Sequence, residues 1–202
     1  RFKIGDDSRH NRLKMTMPGR FFLQRFLRQA ANSRCHYVII EMTSEGARQF
    51  RHRFIYLDAL IFTNLAPEHI ESHGSYENYV RAKLSIAKAL ERSRKPHKIM
   101  VANADDAEAN KFLAIHVPRK VGFRLAELEP ITVRANGTEF VLDGEKITTQ
   151  LPGQFNLYNI LAGASFAKTQ GLSARTVKQA IEGLGGIRGR MESVGWQEFD
   201  VI

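Results

Sequence analysis

Asp58-Ala59-Leu60-Ile61-Phe62-Thr63-Asn64 and Lys98-Ile99-Met100-Val101-Ala102-Asn103 are the two segments whose reading decides the fold. Each is a short apolar run that ends on an asparagine, the pattern of a strand buried on both faces. Between them, Ser75 opens a stretch to Leu90 in which Tyr76, Tyr79, Val80, Leu84, Ala87 and Leu90 recur at helical spacing. Strand, long helix, strand predicts parallel strands joined by a crossover. Working outward, Tyr37-Val38-Ile39-Ile40 predicts a further buried strand ending on Glu41. Pro18 suits the first turn of a helix through about Ala31, with Phe21, Phe22, Leu23, Phe26 and Leu27 as its apolar face. A helix capped near Asp105 is expected after the strand at 98–101. In such sheets ligands lie beyond the carboxyl ends of the strands, where Glu41, Asn64 and Asn103 fall.

From about Ile131 the period changes to two. Ile131–Val133, Thr138–Leu142 and Lys146–Thr149 are separated by Asn136-Gly137 and Asp143-Gly144, both hairpin-turn dipeptides. A small antiparallel element is therefore expected on an otherwise parallel α/β fold. Helices follow near 157–169 and 173–184, the second with Ser173 as N-cap, and the glycine-rich stretch 183–189 reads as a loop or boundary. The chain opens on Arg1-Phe2-Lys3-Ile4 without an initiator Met and closes on Phe199-Asp200-Val201-Ile202, which reads as a strand. Both ends are those expected of a piece of a longer protein.

The 202 residues carry 30 Lys and Arg against 21 Asp and Glu, a net charge of +9, and 43% hydrophobic residues with 13 Phe. That content supports a buried core and argues against a disordered or fibrous chain. No run reaches the roughly 20 apolar residues of a membrane span. Cys35 is the only cysteine; it forms no intrachain disulfide and no zinc cluster, which favours a cytoplasmic location. The basic balance suits nucleic acid, an anionic surface or a phosphorylated small molecule alike.

The polar cluster Thr63-Asn64-Leu65-Ala66-Pro67-Glu68-His69-Ile70-Glu71-Ser72-His73-Gly74 has the make-up of an ordinary strand-to-helix connection. His69 and Glu41 are equally suitable donors for a divalent ion where two strand ends meet. Lys83 reads as a solvated lysine lying over its helix. No Gly-x-x-x-x-Gly-Lys-Ser/Thr phosphate loop and no Gly-x-Gly-x-x-Gly occurs in the sequence. In Pro152-Gly153-Gln154-Phe155-Asn156-Leu157-Tyr158-Asn159, two asparagines three apart at a helix start suit either an adenine edge or a helix cap. Arg190, after the glycine-rich stretch, is a surface arginine or a phosphate contact. Arg48, Arg51, His52 and Arg53 form a basic group that lacks the stacking aromatics of a nucleic-acid site.

The segment Phe62–Ile70, with His73-Gly74-Ser75 and Tyr79-Val80-Arg81-Ala82-Lys83, resembles the central-domain signature of the Mur ligases. Pro152–Asn159 and Gly189-Arg190-Met191-Glu192-Ser193-Val194 resemble later motifs of that family, in the same order. The similarity is greatest to its branch that adds the third peptide residue to the UDP-N-acetylmuramoyl dipeptide. The resemblance implies an ATP-dependent amide ligase working through an acyl phosphate in peptidoglycan precursor synthesis. Its partners would be the muramoyl dipeptide and a diamino acid, with neither nucleic acid nor membrane. It further implies Glu41, His69 and Lys83 as catalytic, magnesium-binding residues, Lys83 as a carbamate. Asn64, Asn156, Asn159 and Arg190 would hold ATP, and Thr16, Ser44 and Arg51 the muramoyl peptide. Residues 1–194 would be the central domain without its upstream phosphate loop, with an antiparallel insertion near 130–150, and 195–202 the start of a C-terminal domain. The fragment alone is then expected to be inactive. Met17 for the usual second threonine, Thr43-Ser44 for paired serines and Glu45 for histidine depart from the branch. They leave open a relative acting on another peptide or polymer, or a nucleotide-binding scaffold without catalysis.

Overall fold

The computed structural model describes residues 2–9, 17–66, 70–134, 137–186, 194–196 and 199–201. In chain order the elements are strands β1 (Phe2–Ile4) and β2 (Asp7–Arg9), helices α1 (Arg20–Asn32) and α2 (Ser44–Arg48), strand β3 (Ala59–Phe62), and helices α3 (Ile70–His73) and α4 (Tyr76–Glu91). Strand β4 (Ile99–Asn103), helix α5 (Ala109–Leu113), strand β5 (Arg119–Phe123) and a 3-10 turn at Leu125–Leu128 follow. The chain continues through β6 (Ile131–Arg134), β7 (Gly137–Leu142), β8 (Glu145–Thr149), α6 (Gln154–Thr169), α7 (Ala174–Glu182), β9 (Val194–Trp196) and β10 (Phe199–Val201).

Strands β3, β4 and β5 form one sheet in that order. The Ile99 N–H donates to the Asp58 carbonyl, Arg119 N–H to Lys98, and Ala104 N–H to Phe123. Leading ends thus pair with leading ends and trailing with trailing, so the strands are parallel, with helices in both connections. All five residues of the middle strand β4 are buried, which is why Ile99-Met100-Val101-Ala102 reads as an unbroken apolar run. β5 carries Arg119 and Lys120 exposed at an edge, where charge discourages further pairing.

The chain divides into two compact units. The first comprises Arg1–Leu60, Leu65–Ile99 and Ala114–Arg119. It holds α1, α2 and α4, with Leu23, Ala30, Val80, Ile86, Ala87 and Leu90 in its core. The predicted face of α1 is narrower than expected: Leu23 and Ala30 are buried, while Phe21 stands exposed on the far side of the helix. The expected strand at 37–40 is not formed. Ile39 is 92% exposed, and no strand among the described residues pairs with this segment. A four-residue apolar run becomes a strand only where a neighbouring strand takes up its backbone N–H and C=O groups.

The second unit comprises Ile61–Asn64, Met100–Leu113 and Lys120–Ile202. Phe62 stacks on Phe112 with ring centroids 3.8 Å apart. β6, β7 and β8 form the expected antiparallel meander, Phe140 lying opposite both Ile131 and Ile147. Asp143 and Gly144 both have positive φ, the twist that a two-residue hairpin turn requires. Asn136 of the other turn lies outside the described residues. The helix expected at Asp105 begins only at Ala109. The Asn103 side chain accepts the Asp105 N–H at 3.1 Å, and that of Asp106 accepts the Glu108 N–H at 2.8 Å. Such side-chain turns compete with helix for the same donors. Among the described residues no helix is long and apolar enough to cross a membrane.

Candidate functional site

In the first unit, α2 begins where Thr43 Oγ1 accepts the Gly46 N–H at 3.0 Å, a side-chain cap. Ser44, the first residue of this helix, is buried, and its hydroxyl lies 3.0 Å from Nε2 of His73, itself only 7% exposed. His73 ends α3 and is held by Asn78, whose Nδ2 donates to the His73 carbonyl at 3.0 Å. Its ring lies 5.3 Å from that of Tyr79, and Lys83 Nζ sits 5.8 Å from the centre of the same Tyr79 ring. Tyr79 and Lys83 are one helical turn apart on α4, so both reach one side. Ser44, expected at the muramoyl peptide, and Lys83, expected at magnesium, thus lie along a single row through His73 and Tyr79.

Beside this row, Arg51 Nη1 donates to the Met17 carbonyl, and Arg51 Nε to Gln49 Oε1 at 2.9 Å. Gln49 Nε2 in turn donates to Glu45 Oε1 at 2.6 Å, and Arg48 Nη2 reaches the same oxygen at 3.0 Å. The Arg48 hydrogen bond, supported by that from Gln49 and opposed by desolvation, holds the Glu45 carboxyl below its ordinary value. The other Glu45 oxygen is buried without a hydrogen-bond partner. Gly46 permits Met17 to close over α2: a Cβ there would stand 2.5 Å from Met17 Sδ. The basic group at 48–53 is not a free stripe. Arg48 Nη1 donates to the Ser72 carbonyl at 2.8 Å, and Arg53 lies over the Phe50 ring. His52 is buried with Nδ1 unpartnered, and burial, then the charges of Arg53 and Arg92, push its pKa down.

In the second unit, polar side chains gather where β3 and β4 end. Asn103 is buried and donates from Nδ2 to the Thr63 carbonyl at 2.9 Å, next to the exposed Asn64. The Tyr158 hydroxyl donates to Asp105 Oδ2 at 3.2 Å. Gly153 immediately precedes helix α6, and its φ of 84° lies in the positive range that favours glycine. Asn156, only 2% exposed, does not cap this helix. Its Nδ2 donates back to the Pro152 carbonyl at 2.7 Å, and its Oδ1 is buried without a partner. An acceptor left unsatisfied in this way costs stability unless something donates to it. Asn159 is exposed three residues further on.

Glu41 is exposed on a segment that is neither helix nor strand, not at the end of a strand. Among the described residues no group of three or more His, Cys, Asp or Glu could hold a metal ion. Thr16, His69 and Arg190 lie outside the described residues. Sequence reasoning missed His73 as the link between Ser44 and Tyr79, although its spacing of four from His69 is visible. It also missed Asp105, which had been read only as a helix cap.

Residues 3–167 match the family described as Mur ligase middle domain. A UDP-N-acetylmuramyl-tripeptide synthetase of Roseiflexus sp. (strain RS-1) is 32% identical over 100% of this chain and 43% of its own length. A UDP-N-acetylmuramoyl-L-alanyl-D-glutamate--2,6-diaminopimelate ligase of Halalkalibacterium halodurans is 29% identical over 99% of this chain and 43% of its own. A solved structure of a ligase with that last name superposes with a TM-score of 0.75 at 23% identity, over 88% of this chain and 38% of its own. The chain thus spans less than half the length of these proteins.

Proposed function

The chain belongs to the Mur ligase family, and from that premise we propose that it is the central part of an ATP-dependent amide ligase. It joins a diamino acid to the D-glutamyl carboxylate of UDP-N-acetylmuramoyl-L-alanyl-D-glutamate, in the cytoplasm. The observation that carries this reading is the similarity, through 99% and 100% of the chain, to a diaminopimelate ligase and a tripeptide synthetase. The substrate carboxylate attacks the γ-phosphorus of ATP, ADP leaves, and an acyl phosphate forms. The amine nitrogen then attacks the acyl carbon, losing a proton as inorganic phosphate departs.

Ser44 and Arg51, with Thr16, are assigned to the muramoyl peptide. Ser44's position against His73 supports a fixed hydroxyl direction there. Asn64, Asn156 and Asn159, with Arg190, are assigned to ATP. The unpartnered Asn156 Oδ1 suits a donor such as the exocyclic amine of adenine. Glu41, His69 and Lys83, the last as a carbamate, are assigned to magnesium, which when bound neutralises charge on phosphoryl oxygens. In the domain layout we propose, 1–194 form the central domain and 195–202 open the next. Since the sequence contains no phosphate loop, the isolated 202 residues are expected not to complete the cycle.

The test is inorganic phosphate release by the complete parent chain with ATP, magnesium and the muramoyl dipeptide, comparing diaminopimelate, lysine and no amine. Release that requires one amine is the expected result, and it identifies the acceptor. Release that no amine stimulates, from a folded protein that hydrolyses nothing further, defeats the reading. A different peptide acceptor is favoured by one feature, the Glu45 carboxylate directly after Ser44 with a buried unpartnered oxygen. Turnover of another peptide in a substrate panel, with none of the muramoyl dipeptide, would select it.

A further inference from the structure

Asp105 has no part in the assignments above, yet its carboxylate ties together three stretches of the second unit. Oδ2 accepts the Leu125 N–H at 2.8 Å and the Tyr158 hydroxyl at 3.2 Å, and Oδ1 accepts Arg124 Nη1 at 3.2 Å. Arg124 Nη1 also donates to the Ala104 carbonyl at 3.0 Å. On its other side, the Asp105 N–H donates to Asn103 Oδ1 at 3.1 Å, and Asn103 Nδ2 to the Thr63 carbonyl at 2.9 Å. One continuous path therefore runs from Thr63, the residue before Asn64, through the end of β4, to Tyr158, the residue before Asn159. The bonds to the carboxylate are charge-assisted and so stronger than neutral ones. Burial, then the charge of Asp105, raises the Tyr158 pKa above its ordinary value, so the hydroxyl stays a donor into more alkaline solution than a free tyrosine.

We propose that Asp105 is a positioning residue for the nucleotide site. It fastens the opening turns of α6, which carry Asn156 and Asn159, to the end of β4 without itself touching the nucleotide. The proposal rests on the nucleotide role assigned above to Asn64, Asn156 and Asn159. Geometry that is set before binding costs no ordering free energy when the ligand arrives. Loss of the carboxylate releases the Tyr158 tether, and α6 then pays that ordering cost on each binding event.

The experiment compares the full parent chain with Asp105→Ala, Asp105→Asn and Tyr158→Phe, using ADP with magnesium as the calorimetric probe and steady-state kinetics in ATP. Asp105→Ala is expected to weaken ADP about tenfold and to raise the KM for ATP equally, with kcat at saturating ATP changed by less than about twofold. Asp105→Asn, which keeps an acceptor oxygen, should recover most of the affinity. Tyr158→Phe, which removes a single bond and keeps the fold, should lose about threefold and carries the test should Asp105→Ala not fold. Amide hydrogen exchange across 156–160 in the free protein should quicken in Asp105→Ala. Unchanged ADP affinity in a folded variant, unchanged exchange across 156–160, or a kcat loss at constant KM would each overturn the proposal. If the wild-type chain binds no ADP, the nucleotide reading itself falls; if wild type and variants bind ADP equally, only the role of Asp105 falls.

Discussion

At the scale of single residues, His52 and Gly46 make the sharpest commitments. His52 is buried and its pKa is lowered by desolvation and by Arg53 and Arg92, so the folded protein holds the ring neutral where the unfolded chain takes up a proton. Stability from this group is therefore complete above its ordinary value of 6.5 and is lost as pH falls through the depressed folded value. Denaturant midpoints measured from about pH 7 to about pH 5 should fall more steeply for wild type than for His52→Gln, and parallel curves would contradict this account. Gly46 matters for space. An added Cβ meets Met17 Sδ at 2.5 Å, and Met17 is buried, so its side chain must shift within a packed surrounding. Gly46→Ala is expected to cost about 1–3 kcal/mol in chemical denaturation and to disturb the Met17 carbonyl that Arg51 holds; a neutral variant would mean that Met17 repacks freely. Asn156 stands out as a candidate in a short contiguous motif, whereas Ser44 and Lys83 become candidates only through the resemblance of their segments to the family. The Asp105 to Tyr158 bond joins residues 53 positions apart, and a side-chain contact at that separation leaves no local pattern to read.

At the scale of elements, legibility followed how far each segment settles its own hydrogen bonds. Helix α4 was predicted almost to the residue because Ser75 declares its start: Ser75 Oγ accepts the Asn78 N–H at 3.2 Å. Removing that acceptor with Ser75→Ala should cost about 1 kcal/mol, read as a lower urea midpoint at unchanged m-value, whereas an unchanged midpoint would show that tertiary packing alone sets the helix start. The same local bonding explains the Asp143-Gly144 hairpin, in which both φ values are positive. Tyr37–Ile40 failed as a strand because a strand's hydrogen bonds belong to its neighbours, which a four-residue apolar run does not specify. β5 was missed for the opposite reason: Arg119 and Lys120 at an exposed edge break the apolar pattern that marked β3 and β4. The late start of α5 is a competition that Asn103 and Asp106 win with their own side chains, visible in composition but not in periodicity.

At the scale of the whole chain, the residues assigned to the muramoyl peptide and those assigned to ATP segregate by unit, while Lys83, assigned to magnesium, lies in the unit of the muramoyl residues. Ser44, Arg51 and Lys83 fall in the first unit, with the row through His73 and Tyr79; Asn64, Asn156 and Asn159 fall in the second, with the path through Asp105. A ligand that binds only the native state slows the local openings of the residues it orders, and leaves distant openings governed by their own stability. In the full parent chain, ADP with magnesium should therefore slow amide exchange at 100–106 and 153–160 while leaving 43–52 near its free rate. The muramoyl dipeptide should do the reverse, protecting 43–52. Exchange measured with each ligand separately decides the matter, since global stabilisation would slow every core amide together. ADP protection confined to 43–52 would reverse the assignment of the two units. Equal protection of both segments by ADP would instead mean that the Ser44 row and the α6 start open as one cooperative unit, and that the division by ligand does not hold.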